Sequence, residues 1–317
     1  MRHLISLKEQ SREDLLTILN LAQKLKAKRS AGEITNYLLN KTLIMLFQKS
    51  STRTRLSFEA GMTELGGHGI FLDSRTSQFS LTDYTDEIKA VMRYGSVLMF
   101  RAMKVQDVIT AASLNKIPVI DACSEKYHPC QALGDILTMI EHSNGLENIK
   151  KITWLGIENN VSNTLKLACA KLGIAVAIAA PEANPPSIDE ELNTMADATG
   201  LVKKTLDLSE AMQGTNYVHT DTWIDMEFFK DGKVLPEFQA EYDRRVQTFK
   251  PYQLNANLVN TYAPKAGIMH CMPCHIGYEI TRDAVDHPNS IIFDQAENRM
   301  HIQKAIILWL LEMENKL

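Results

Sequence analysis

What most constrains this chain is a repeated hand-over from a short apolar run, through a polar turn, to a segment with helical spacing. Thr42–Phe47 is a mostly apolar run that ends in polar residues, as expected of a strand buried on both faces in a parallel sheet. A helical stretch over about 52–65 follows and stops at Gly66-Gly67, and 69–72 supplies another strand, so 42–72 reads as a βαβ unit. Strands are also expected at 97–100 and 118–120, with a helix from about Gln131 to about His142. One helix opens the chain: Ser11 with Glu13 and Asp14 makes an N-cap, and Leu15, Leu16, Leu19, Ala22 and Leu25 recur at helical spacing.

The pattern restarts after Ser143-Asn144-Gly145, with a strand at 151–155, a helix near 163–172 and a strand at 175–179. Residues 181–186 are punctuated by prolines, and further strands are expected at 216–219 and at Gly267–His270. The amphipathic segment 297–312 reads as a helix. The expected architecture is α/β, with two similar-sized domains, each a parallel sheet flanked by helices, and a cleft between them. Residues 1–142 and 143–296 form these domains, and a C-terminal helix at 297–317 packs back on the first. A chain of 317 residues is long enough for two such cores. No internal repeat or low-complexity segment is seen.

Hydrophobic residues at 45% and charged residues at 23% give the balance of an ordinary globular protein rather than a disordered one. A net charge of −4 supplies no broad basic field for nucleic acid. The N-terminus turns polar too soon for a secretory signal, and no apolar run approaches the ~20 residues that span a bilayer. A cytoplasmic protein without membrane or nucleic-acid partners is therefore expected. The five cysteines, Cys123, Cys130, Cys169, Cys271 and Cys274, are an odd number and read as reduced thiols.

Ser50-Ser51-Thr52-Arg53-Thr54-Arg55 sits where the first strand hands over to a helix. Backbone N–H groups at a helix start are unsatisfied and carry partial positive charge, so with hydroxyls and a guanidinium they make an anion site. The plainer reading is that Ser51 and Thr52 only cap the helix while the arginines lie in solvent; Arg55 reads as structural. His128-Pro129-Cys130-Gln131 offers two side chains that can hydrogen-bond a small carbonyl group, or simply a capped loop. Arg101 follows a strand, at the end where open α/β sheets bind ligands, though a surface ion pair would look the same.

These clusters, in this order and spacing, resemble the aspartate and ornithine transcarbamylases. The resemblance covers essentially the whole chain and implies that Ser51, Thr52, Arg53 and Thr54 hold the phosphate of carbamoyl phosphate. It implies that Arg101, His128 and Gln131 contact the carbamoyl group, and that Arg299 reaches carbamoyl phosphate from the second domain. Asp221-Thr222-Trp223, His270-Cys271-Met272-Pro273 and Asp294 through Arg299 look like the ornithine branch. By that likeness Asn160, Asp221, Asp225 and Met226 bind the acceptor's amino-acid end, while Cys271 and the Met272 carbonyl orient the attacking amine. Gln78 lies in the loop that reaches a neighbouring subunit's site in the family, which also implies a homotrimer or a multiple of trimers.

The residues themselves bear on the acceptor. No arginine occurs between Arg101 and Arg244, and planar dicarboxylates are usually gripped by bidentate arginine, which disfavours aspartate. Asp225-Met226-Glu227 departs from the Ser-Met-Gly of ornithine enzymes, so putrescine or another amine stays open as acceptor, as does a non-catalytic anion-binding relative. Cys271 and Cys274 form a Cys-x-x-Cys without a second ligand pair at matching spacing, which argues against a metal, and it follows a late strand, unlike redox dithiols. Residues 156–159 lack the Gly-x-Gly-x-x-Gly turn of dinucleotide folds. The expected chemistry is carbamoyl transfer to the terminal amine of ornithine, giving citrulline and phosphate. Carbamoyl phosphate is already activated, so no cofactor, metal or covalent enzyme intermediate is required.

Overall fold

The computed structural model describes residues 1–317 apart from 82, 225–227, 231–232 and 317. Helix α1 (Arg12–Ser30) starts at Ser11, whose side chain and that of Asp14 satisfy each other's backbone amides in a capping box. Then come β1 (Thr42–Phe47), α2 (Thr52–Glu64), β2 (His68–Asp73), α3 (Tyr84–Val91), β3 (Val97–Arg101), α4 (Val105–Ser113), β4 (Val119–Asp121) and α5 (Pro129–Ser143). All four strands run parallel in the order β2-β1-β3-β4. The apolar run of β1 is buried along nearly its whole length, as a central strand covered on both faces requires.

The second half repeats the plan with β5 (Lys151–Glu158), α6 (Asn160–Leu172), β6 (Ala175–Ala183), α7 (Glu190–Asp197), β7 (Val202–Lys204), α8 (Leu208–Met212) and β8 (Tyr217–Thr220). A small antiparallel hairpin of β9 (Phe229–Lys230) and β10 (Lys233–Val234) precedes α9 (Gln239–Phe249), α10 (Ala256–Tyr262), β11 (Gly267–His270), α11 (Arg282–Val285) and α12 (Ile292–Leu310). This sheet is parallel in the order β11-β8-β5-β6-β7. Gly156 adopts φ +103° at a register shift in β5, where an added Cβ would lie 2.6 Å from Trp223 Nε1. Close approach of Trp223, rather than a nucleotide, accounts for glycine there.

Each sheet grows in both directions from its first strand. The chain reverses between β1 and β3 in the first sheet and between β5 and β8 in the second. Such reversals open a crevice at the carboxyl ends of the strands, and these two lie at the ends carrying Ser51, Arg101, Asn160 and Asp221.

The halves are not independently cored. One apolar cluster runs from Leu7 and Leu133 through Trp154, Leu165 and Tyr217 to Trp309. Lys171 on α6 donates to the carbonyls of Leu7, Lys8 and Gln10 at 2.6–2.8 Å, fastening the second half to the N-terminal segment. Helix α12 packs on α5, α1 and α2 and starts earlier than the sequence pattern indicates. It is also not amphipathic: every residue from Asn298 to Leu310 is buried, including Arg299, His301, Gln303 and Lys304. Among the described residues no helix is long and apolar enough to cross a membrane.

Candidate active site

A cleft of about 400 Å³ opens where the two sets of strand ends meet. On the first-sheet side it is lined by Ser51, Arg53 and Thr54 at the start of α2, Arg101 at the end of β3, and His128 and Gln131 at the start of α5. Arg299 enters this same wall from α12 rather than from the second domain as expected, because α12 packs on α1, α2 and α5. Across from it lie Asn160 at the start of α6, Asp221 after β8, and Cys271 and Met272 after β11. Residues far apart in the sequence are therefore gathered in one space. Thr52 is exposed and does not line the cleft with its side chain; Gln78 is exposed in a turn after β2 and is also outside it. Asp225 and Met226 lie outside the described residues.

The first wall is organised as an anion cradle. Ser51 caps α2, accepting from Thr54 N at 3.4 Å and donating to Thr54 Oγ1 at 2.9 Å. Arg299 Nη2 donates to the same hydroxyl at 3.0 Å, which fixes its guanidinium beside the helix start. The Nε atoms of Arg53, Arg101 and Arg299, with His128 Nδ1 and Gln131 Oε1, are buried without a hydrogen-bond partner among the described residues. Burial, together with the neighbouring guanidinium groups, lowers the pKa of both Arg53 and Arg299. Arginine does not give up its proton at ordinary pH, so the crowded guanidinium groups stay charged and leave this wall strongly positive. His128 is pushed down by burial, with Arg299 and Arg101 adding to the effect, which favours the neutral imidazole.

The second wall is positioned by side chains that the sequence did not single out. Asn159 caps α6 with its carbonyl oxygen and donates Nδ2 to Asp221 Oδ2 at 2.7 Å, while Thr222 N donates to Asp221 Oδ1 at 2.8 Å. The Cys271 thiol is driven well above its ordinary range by burial and by Asp221, so it serves as a donor rather than a thiolate. Met272 holds φ +57°, an uncommon conformation for this residue, while its N–H donates to His270 Nδ1 at 2.8 Å. His270 Nε2 donates to Glu279 Oε1 at 3.0 Å. Ligand atoms of Asp221, His270 and Cys271 lie within 4.8 Å of one another. Both ring nitrogens of His270 are already committed, and the thiol is held protonated, so this cluster has poor donor chemistry for a cation.

Behind the cleft a buried network joins the two sheets. Gln131 and Gln295 each donate Nε2 to Asp135 Oδ1 at 2.7 Å. Gln295 also donates to His219 Nε2 at 2.9 Å and accepts from His270 N at 2.9 Å. The start of α5 is thus tied through α12 to the loop carrying Cys271.

Lys49, Cys123, Phe228 and Phe238 also line the cleft and were not anticipated. Lys49 stands two residues before Ser51 in the same strand-to-helix loop, and Cys123 follows the end of β4; position after a strand end was the signal available for both.

Two family models cover the chain. The aspartate/ornithine carbamoyltransferase carbamoyl-P binding domain matches residues 2–141, and the Asp/Orn binding domain of the same family matches 148–310. The chain belongs to the aspartate/ornithine carbamoyltransferase family. Similar members include the ornithine carbamoyltransferase of Methanospirillum hungatei, 41% identical over 309 residues, covering 97% of this chain and 98% of that protein. That of Methanosarcina mazei is 39% identical over 311 residues, covering 98% and 99%. The solved ornithine carbamoyltransferase from Pyrococcus furiosus superposes with a TM-score of 0.88 at 35% identity, covering 97% of this chain and 96% of that one. The one from Burkholderia thailandensis gives 0.85 at 32%, covering 99% and 100%. In this carbamoyltransferase the two matched domains correspond to the two sheets, and the cleft lies between them.

Proposed function

We propose that the protein transfers the carbamoyl group of carbamoyl phosphate to the terminal amine of ornithine, giving citrulline and phosphate. The observation that carries this is the anion cradle of Ser51, Arg53, Thr54, Arg101 and Arg299 facing Asn160, Asp221, Cys271 and Met272 across one cleft. In this reading residues 1–142, with the C-terminal helix packed on them, hold carbamoyl phosphate, and residues 143–296 hold the acceptor. The phosphate sits at the start of α2, where Thr52 contributes its backbone amide rather than its exposed side chain. Arg101, neutral His128 and Thr54 donate to the carbamoyl oxygen as it gains charge, and Gln131 Oε1, whose amide nitrogen is already given to Asp135, accepts from the carbamoyl nitrogen. Asp221, held by Asn159, takes the α-ammonium. Asp225 and Met226 are assigned the rest of the amino-acid end. The Cys271 thiol and the Met272 carbonyl aim the uncharged amine at the carbamoyl carbon, and the departing phosphate accepts the proton. Most of the acceleration then comes from positioning and preorganised charge.

We further propose a cytoplasmic homotrimer serving arginine biosynthesis, with Gln78 on its exposed turn contributing to a neighbouring subunit's cleft. The absence of arginine between Arg101 and Arg244 supports an amine-bearing acceptor over a dicarboxylate. A colorimetric assay of carbamoyl product with ornithine, putrescine and aspartate in parallel tests the reading. Citrulline from ornithine at the highest kcat/KM is expected; greater efficiency with putrescine, or no product from any acceptor while carbamoyl phosphate still binds, would overturn it.

A further inference from the structure

Transfer to an amine leaves the Cys123 thiol in the cleft without a role. Cys123, only 6% exposed, lines the cleft just beyond the end of β4. Asn160 Nδ2 donates to its Sγ at 3.4 Å and to Ser124 O at 2.7 Å, so the thiol, itself 3.8 Å from Ser124 O, faces the start of α6 from the first-sheet side. The same cleft is bounded by His128, 6% exposed with Nδ1 unpartnered among the described residues, and by Arg101, whose buried Nε is likewise unpartnered. These are the groups assigned above to the carbamoyl oxygen. A sulfur nucleophile and the oxyanion donors therefore border one small space.

The other cysteines are differently placed. Burial pushes the thiols of Cys130 and Cys274 up to about 12 and that of Cys169 higher still, while burial and Asp221 raise Cys271. At Cys123 burial acts in the same direction, but the Arg101 guanidinium, with Lys49 adding to it, outweighs it and holds the thiol well below its ordinary range. A thiol that loses its proton readily is the more nucleophilic one, and among the five cysteines the shift runs that way at Cys123.

We propose that Cys123 is an alternative carbamoyl acceptor, taking the carbamoyl group from carbamoyl phosphate when no amine occupies the acceptor side. This rests on the proposed function for the placement of carbamoyl phosphate. The sulfur lone pair forms a bond to the carbamoyl carbon, and the bond from that carbon to the phosphate oxygen breaks with its electron pair leaving on phosphate. The thiol proton leaves as the bond forms and is taken up by the departing phosphate, so atoms and charge balance. The products are S-carbamoylcysteine and inorganic phosphate, with no oxidant, reductant or further reactant. The adduct stands where the amine would approach, so it slows turnover by occupying the acceptor side.

The test is to incubate the full chain with carbamoyl phosphate and no amine, quench in acid, and map the cysteine peptides by mass spectrometry. A carbamoyl adduct on Cys123 is expected, suppressed by inorganic phosphate and reduced at least about tenfold by Arg53→Ala. Cyanate, formed when carbamoyl phosphate decomposes in water, is run alone as the control, because it labels thiols without using the anion cradle. Cys123→Ser should lose the adduct yet keep its thermal stabilisation by carbamoyl phosphate, which shows that the variant is folded. Labelling insensitive to phosphate and to Arg53→Ala, an adduct centred on another cysteine, or no adduct in a chain that makes citrulline from ornithine would overturn the proposal. A chain that makes no citrulline in the parallel assay fails the proposed function instead.

Discussion

Replacing Gln295 by leucine tests whether the buried network behind the cleft holds the two sheets in working register. The change keeps roughly the same side-chain volume but removes the bonds to Asp135 Oδ1 at 2.7 Å, to His219 Nε2 at 2.9 Å and from His270 N at 2.9 Å. Asp135 keeps Gln131 as a donor and its Oδ2 lies 3.3 Å from His219 Nε2, where a proton on that nitrogen can bond it, so the group left without a partner is the His270 amide. One such orphan costs about 1–3 kcal/mol, which places the loss of stability at roughly 2 kcal/mol. Equilibrium unfolding in urea, followed by tryptophan fluorescence with the slope held common, measures it directly. The same amide anchors the base of the loop carrying Cys271 and Met272. KM for ornithine should therefore rise more than KM for carbamoyl phosphate. A loss below about 1 kcal/mol with both KM values unchanged would refute the reasoning, because at least one buried polar group must then have found a partner unaided.

Arg53→Ala removes a guanidinium aimed at a dianion, a charge-assisted contact of about 1.5–3 kcal/mol, so kcat/KM for carbamoyl phosphate should fall roughly ten- to hundredfold in steady-state assays; unchanged kinetics would reject the anion cradle. Cys274 packs against an apolar cluster that includes Leu155, Val218 and Ile268, and its thiol is raised to about 12, so Cys274→Ala should leave kcat within about a factor of two, and a large loss of activity would revive a dithiol role. Burial pushes the Glu279 carboxyl up to about 7, above an unfolded value of about 4.3. The folded state then keeps a proton that the unfolded chain has lost, so this contribution is fully present below about pH 4 and is lost as pH rises through 7. The stability of the native chain relative to Glu279→Gln should decline across that window in urea titrations; parallel pH profiles of the two proteins would contradict it.

The parallel strands were legible because strands covered on both faces must be apolar throughout, which leaves uninterrupted runs such as Thr42–Phe47. Most of the mismatch lay at their carboxyl ends. Arg101, Asp121 and Glu158 belong to β3, β4 and β5 but are charged, so an apolar pattern stops short of them. The edge strand Val202–Lys204, with two lysines exposed, carries no such pattern and was not foreseen. Helix α12 misled for the opposite reason: its polar residues face partners such as Thr54 and Glu64 in other elements, and only the folded chain shows that they are buried. Within the cleft, Ser51, Arg53 and Thr54 were legible as lining residues because they sit at a strand-to-helix turn, where open sheets present side chains to a crevice. Asn159 did not stand out, since a helix cap is its ordinary use and its second contact, to Asp221, joins residues 62 apart.

Because Arg299 rides on α12, the cradle cannot be completed by the segments that supply the rest of it. During synthesis, everything from Ser51 to Met272 leaves the ribosome before this guanidinium does. Nascent chains therefore present an unfinished pocket, with Thr54 still waiting for the donor that spans 245 positions of sequence to reach it. The pocket is complete only once α12 has packed against α1, α2 and α5, so a substitution that loosens that packing withdraws Arg299 without touching a residue that lines the cleft.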